Sequence, residues 1–253
     1  MPIPKLRLDN KVAIVTGGSR GIGRAIALLF AEAGAKVVVA SRNVPDLEKV
    51  SDEIRGLGGE AMAVQANIAL KADVDALVTK AVERFGTVDI LVNNAAVNVM
   101  RPLLDLREDG WDKVMNVGLK GYFLCTQAAA RVMVKQKSGN IISIVSDAAV
   151  KATPALGVYG IAKAGVVMMT QLFAVDLAPH NIRVNAIGPG MVKTGFSQPM
   201  WGNPDVRKMI EANIPLRRIA EPEEIALVVL FLASDASSYI TGETVFADGG
   251  TLA

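Results

Sequence analysis

The sequence predicts an α/β fold, a doubly wound and mostly parallel seven-stranded sheet with helices on both faces. Two observations carry this. Short runs rich in Val and Ile alternate with longer stretches of helical period from one end of the chain to the other. Most of those runs are also continuously apolar instead of alternating in and out, which suits parallel strands covered on both faces. No Pro/Gly/Ser-rich linker divides the chain, so residues 1–253 read as one domain.

The elements follow in order. Strands are expected over 12–16, 37–41, 61–65, 90–93, 140–146, 183–187 and 244–247, each β-branched or apolar and bounded by turn residues. Helices are expected between them over 23–33, 46–57, 71–85, 108–135, 158–177 and 222–233, where apolar residues recur at three- and four-residue spacing. Right-handed crossovers then connect neighbouring strands. One interval, 195–218, has no clean period. Phe196, Met200, Trp201, Met209 and Ile214 lie there among Gly202, Asn203, Pro204 and Pro215. A connection this long after a late strand reads as a lid over a ligand.

Composition excludes several chemistries. Lys plus Arg total 27 against 25 Asp plus Glu, leaving a net charge of +2 and no basic stripe for nucleic acid. The single Cys125 forms no intrachain disulfide and no Cys-rich metal site. With His180 the only histidine, a multi-histidine metal centre is impossible. No metal site is expected. Lys5, Arg7 and Asp9 interrupt the first ten residues, no unbroken apolar stretch of about 18 residues follows, and a cytoplasmic location is expected.

The turn after the first strand reads Thr16-Gly17-Gly18-Ser19-Arg20-Gly21-Ile22-Gly23. Glycines there allow a tight turn and close backbone approach to a pyrophosphate, and the helix that follows offers free N–H groups. With a buried strand before it and an apolar helix after it, Gly17, Ser19, Arg20, Gly21, Ile22 and Gly23 read as the dinucleotide turn of a Rossmann-type domain. The second strand ends in Ser41-Arg42 where an NAD site usually places a carboxylate. Arg42 and Arg20 suit a 2′-phosphate by charge and donor geometry, so NADP(H) is expected over NAD(H).

Farther along, Tyr159 and Lys163 stand four residues apart on one helix, which sets both on the same face. A nearby ammonium favours the phenolate and is expected to lower the Tyr159 pKa toward neutrality. Ser146 is expected at the end of the fifth strand. The chain resembles the short-chain dehydrogenase/reductase family over nearly its whole length. The resemblance rests on Thr16-Gly17-x-x-x-Gly21-x-Gly23, Asn93-Asn94-Ala95, Asn116, Ser146, Tyr159-x-x-x-Lys163, Pro189-Gly190, Tyr239-Ile240-Thr241-Gly242 and Asp248-Gly249-Gly250.

That resemblance implies roles. Tyr159 would exchange the proton with the carbonyl or hydroxyl oxygen, Lys163 would hold the nicotinamide ribose and lower the Tyr159 pKa, and Ser146 would hydrogen-bond the substrate oxygen. Asn116 would hold a water joining Lys163 to solvent. Asn93, Ala95, Pro189, Gly190, Val192 and Thr194 would complete the cofactor site, the last two at the carboxamide. Two departures stand out. Asn67-Ile68 occupies the place of the usual Asp-Val near the adenine, where an amide oxygen can still accept a hydrogen bond. Ala96 stands where Gly is usual, which stores strain only if its φ is positive.

Val97, Asn98, Ala148, Leu156, Met191, Phe196, Met200 and Trp201 suggest a ketone or secondary alcohol with apolar bulk. Asp147 would contact a polar group or cap a turn. Arg131, Lys135 and Lys137 would receive an acidic carrier protein, as in the 3-oxoacyl reductases the chain resembles, or form a solvated helix end. The resemblance also implies a homotetramer. The expected activity is an NADP(H)-dependent ketone or 3-oxoacyl reductase. Its rivals are an NAD-linked secondary-alcohol dehydrogenase and a non-catalytic dinucleotide sensor.

Overall fold

Seven strands run parallel in the order β3-β2-β1-β4-β5-β6-β7 in the computed structural model, which describes residues 6–154 and 156–253. The strands are β1 (Val12–Thr16), β2 (Lys36–Ser41), β3 (Ala61–Gln65), β4 (Ile90–Asn93), β5 (Gly139–Ile144), β6 (Ile182–Pro189) and β7 (Thr244–Ala247). Every pairing is parallel. Lys5, part of the charged start of the chain, lies outside the described residues.

Both faces of the sheet are buried, and this is why the central strands carry no polar alternation. Ala13, Val15, Val37 and Val39 point into one core with Ile26 and Phe30 of α1 (Gly21–Glu32), Leu47 and Ile54 of α2 (Val44–Gly56) and Val229 of α9 (Pro222–Ala233). Ile14, Val38 and Leu91 point the other way. They meet Leu77 of α3 (Lys71–Phe85), Met133 of α5 (Gly121–Gln136) and Val166 of α6 (Gly157–Leu177). Burying an aliphatic side chain in either layer stabilises the fold by roughly 1.5–3 kcal/mol.

The structure corrects the expected elements in three places. The fifth strand ends at Ile144, so Ser146 does not close it but caps a short 3-10 turn, Asp147–Ala149. The helix expected over 108–135 is continuous but not α-helical throughout. α4 (Glu108–Met115) and α5 flank a π turn, Asn116–Lys120, whose wider turn changes which side chains face inward. Two helices occupy the aperiodic interval, α7 (Gln198–Trp201) and α8 (Pro204–Asn213). Asn203 caps α8 by accepting from the Asp205 and Val206 amides, with Pro204 at the first helical position.

The strand order reverses between β1 and β4, which opens a crevice at the carboxyl ends of the strands. The helix Gly157–His180, which comprises α6 and the turn after it, is long and apolar enough to cross a membrane by length and composition. Its stripe of Val158, Tyr159, Ala162, Lys163 and Val166 is buried against the protein instead.

Candidate active site

A cavity of about 520 Å³ follows that crevice from the glycine turn to α8. At one end the β1–α1 turn supplies Gly17, Ser19, Arg20, Gly21 and Ile22. Gly17 and Gly21 have φ of +66° and +55°, a region that side chains with a Cβ rarely enter. A Cβ on Gly17 would also lie 2.8 Å from Ala95 Cα. Gly23 does not line the cavity. A Cβ there would overlap the Gly17 carbonyl and the Asn94 amide, and Asn94 Nδ2 needs that space to donate to the Thr16 and Gly17 carbonyls at 3.0 and 3.2 Å.

No side chain caps α1, so its first amides stay free to meet an anion. Ser41, Arg42, Asn67 and Ile68 continue the wall. Among the described residues neither the Arg20 nor the Arg42 guanidinium has a hydrogen bond or ion pair, whereas nearby Arg24 is held by Glu53 at 2.6 Å. Asn67 Oδ1 accepts from the Ala69 amide at 3.2 Å. Free amides, positive-φ glycines and two unpaired arginines fit a phosphorylated dinucleotide.

Asn93 is fully buried behind the wall. Its amide donates to Thr126 at 3.0 Å, so its side chain ties β4 to α5 and does not line the cavity. Ala95, Pro189, Gly190, Val192 and Thr194 do line the cavity. The Thr194 methyl stands 3.2 Å from the Cβ position of Gly21, so the loop after β6 closes over the glycine turn. Ala96 has no positive φ, and its replacement of glycine stores no strain.

The other end carries the reactive groups. Ser146, Asp147, Tyr159 and Lys163 all line the cavity. The Ser146 hydroxyl donates to Asp147 Oδ1 at 2.9 Å, and the Ala148 amide donates to the same carboxylate oxygen at 2.8 Å. Asp147 thus closes its turn and also holds the serine hydrogen. Burial raises its carboxyl pKa above the ordinary value. Lys163 is 1% exposed, and its Nζ donates to the Ile144 carbonyl at 2.6 Å and the Tyr122 hydroxyl at 3.0 Å. Burial pushes its pKa down to about 7.

The expected lowering of the Tyr159 pKa does not hold. Burial raises it, the Asp147 carboxylate adds to the rise, and the Ser146 hydroxyl works against both. The physical reason is shared. Desolvation penalises the phenolate and the neighbouring ammonium alike, so the cation expected to offset the phenolate is itself weakened.

Asn116 is half-buried at the start of the π turn and does not line the cavity, unlike its neighbour Val117. The buried residue of that turn is Gly118, whose Cβ position lies 3.3 Å from the Ala162 methyl on α6. Val97, Leu156, Met191, Phe196 and Met200 form the apolar wall, and the Phe196 ring lies 5.8 Å from the Tyr159 ring. Ala148 and Asn98 do not line the cavity. Trp201 lies outside, its indole donating to Ser197 at 3.0 Å and thereby bracing the loop. Sequence reasoning missed Tyr122, Lys151, Thr153, Ile210, Asn213 and Thr251. The α8 pair was signalled by the Asn203-Pro204 cap, and Tyr122 only by a tyrosine on a core-facing helix.

The chain matches the family model described as enoyl-(acyl carrier protein) reductase over residues 17–251. It is a short-chain dehydrogenase/reductase. This dehydrogenase/reductase is 39% identical to the 3-oxoacyl-[acyl-carrier-protein] reductase of Thermotoga maritima, over 97% of this chain and 99% of that one. It is 43% identical to the 3-oxoacyl-[acyl-carrier-protein] reductase of Synechocystis, over 96% and 97%. Among solved structures it is similar to a Beutenbergia cavernae chain described provisionally as an NAD(P)-dependent gluconate 5-dehydrogenase, with NADP bound at low occupancy. That match has a TM-score of 0.93 and 33% identity, and covers 98% of each chain. The dehydrogenase/reductase is accordingly an oxidoreductase acting between carbonyl and secondary alcohol.

Proposed function

We propose that the protein reduces ketones with NADPH, with 3-oxoacyl or other apolar carbonyl compounds as substrates. The observation that carries this reading is the meeting of Ser146, Tyr159 and Lys163 in one cavity with the glycine turn and two unpaired arginines. Arg20 and Arg42 would hold the 2′-phosphate, the α1 amides the pyrophosphate, and Lys163 and the Val192–Thr194 loop the nicotinamide end. When bound, the dinucleotide supplies the hydride. The chain supplies orientation and the proton. Tyr159, kept as the neutral phenol by burial, is the acid at the carbonyl oxygen, and Ser146 donates a second hydrogen bond as negative charge develops there.

Leu156, Phe196 and Met200 support apolar bulk next to that oxygen. The names of the Thermotoga and Synechocystis relatives support an acyl substrate on a carrier. The basic residues Arg131, Lys135 and Lys137 do not fit as the carrier's landing site. Lys135 and Lys137 close α5 immediately before β5 begins, at the sheet edge opposite the cavity. They are read as a solvated helix end, and a carrier would approach the mouth instead.

Phe123, Ile161, Met168, Leu172 and Val175 are exposed on α5 and α6 and support assembly of copies through these helices, as a homotetramer. A cytoplasmic location accords with a freely diffusing nicotinamide. The lid role of residues 195–218 rests on Phe196, Met200 and Ile210 walling the cavity.

The test is consumption of NADPH and of NADH over a panel of 3-oxoacyl thioesters and apolar ketones. Turnover with a lower KM for NADPH is expected. Preference for NADH overturns the cofactor assignment, and binding without turnover of any carbonyl favours the sensor.

A further inference from the structure

Lys163 has no carboxylate partner among the described residues. Its ammonium is met by two oxygens, the Ile144 carbonyl at 2.6 Å and the Tyr122 hydroxyl at 3.0 Å, and it lies 4.4 Å from the centre of the Tyr122 ring. Tyr122 is fully buried on α5, 41 residues away in sequence, and donates its own hydrogen to the Ile144 carbonyl at 3.2 Å. Because that hydrogen is engaged, the phenol oxygen faces Nζ as an acceptor.

An ammonium in a desolvated site survives only where acceptors replace its water, and each hydrogen bond to a charged group favours the charged form. The titratable groups that meet Lys163 are Tyr122 from α5 and Tyr159 from α6, with Cys125 acting on Tyr122 and Asp147 on Tyr159. Burial holds the Tyr122 phenol well above its ordinary pKa and pushes the Cys125 thiol up to about 12, so neither supplies a countercharge near neutrality. Asp147 is engaged with Ser146 and Ala148. The acceptor role therefore falls on Tyr122 and one carbonyl.

We propose that Tyr122 is a positioning residue whose hydroxyl keeps Lys163 protonated and held beside Tyr159. Its effect on catalysis rests on the role of Lys163 given above, whereas its effect on Lys163 does not. With the lysine titrating at about 7, activity that needs the ammonium is present below that pH and is lost as pH rises through it. Loss of one acceptor moves that alkaline limb to lower pH.

The experiment is a pH titration of the cofactor-free chain labelled with ¹³C at lysine Cε. The Lys163 signal is identified by its loss in Lys163→Met. Tyr122→Phe keeps the ring and removes the oxygen, and is expected to lower the Lys163 midpoint by about one unit. Tyr122→Leu provides the same deletion should the phenylalanine variant fail to fold. An unchanged midpoint overturns the proposal. In parallel, the alkaline limb of kcat/KM with NADPH and a ketone is expected to fall by the same amount, roughly tenfold less activity one unit above the midpoint. A purely structural loss would instead scale activity equally at every pH. If the wild type reduces no ketone, the functional reading fails, and the titration alone still decides whether Tyr122 holds the lysine charged.

Discussion

The two ends of the cavity recognise by different means. At the glycine turn, recognition is made mostly of backbone: positive φ at Gly17 and Gly21 and uncapped amides on α1, beside exposed guanidiniums that have no partner among the described residues. At the Ser146–Lys163 end it is made of buried side chains. Tyr122, Tyr159 and Lys163 are each at most 9% exposed, and their proton affinities are displaced by desolvation. The first end is a shape that accepts an anion at any ordinary pH. The second is a set of competing protonation equilibria, so pH and single-atom changes act far more strongly there.

The sharpest way to break that contrast is Tyr159→Phe. It removes the acid and leaves the anion-binding turn intact, so kcat should fall by roughly 10²- to 10⁴-fold with little change in dinucleotide affinity. Retained turnover would move the proton chemistry elsewhere. At the other end, Arg42→Ala should raise KM for NADPH by roughly ten- to a hundredfold, the loss of one charge-assisted hydrogen bond of about 1.5–3 kcal/mol, with KM for NADH almost unchanged. Equal effects on both cofactors would show that Arg42 shapes the pocket instead of reading a phosphate. Gly17→Ala sits between the two ends in kind. Its φ and the contact with Ala95 should cost about 1–2 kcal/mol, lowering Tm by a few degrees and dinucleotide affinity by roughly tenfold.

The backbone end was also the more legible in sequence. A glycine turn between an apolar strand and an apolar helix depends on neighbours in the chain, and β1, β3, β4 and β7 span the residues expected of them. The buried end depends on residues far apart. Tyr159 and Lys163 were visible because four residues separate them, but their partner Tyr122 reaches them only through the packing of α5 on α6. The π turn at Asn116–Lys120 leaves the apolar pattern of 108–135 unbroken on paper while shifting every later side chain around the helix. It turns Gly118 toward Ala162 and leaves Asn116 off the cavity wall. Asn93 misled for the opposite reason. It belongs to a motif that reads as cofactor-facing, yet its amide spans β4 and α5.

The smallest expected effect is also the finest test of the buried end. Ser146 has one hydrogen to give, and it goes to Asp147 at 2.9 Å. A carbonyl oxygen entering the site must compete for it. Asp147→Ala removes the competitor, so KM for the ketone should fall by roughly two- to fivefold, a fraction of a hydrogen bond to a charged group. Wild type should approach the same state in acid, because a protonated Asp147 no longer draws the serine hydrogen. Burial raises the Asp147 pKa from its ordinary value, which moves this transition to higher pH. The wild-type KM should therefore decrease as pH falls through that pKa, and the Asp147→Ala KM should show no such step. A higher KM in the variant would mean that the carboxylate aligns the serine for its substrate. The buried end would then be preorganised through the same hydrogen bond that otherwise restrains it.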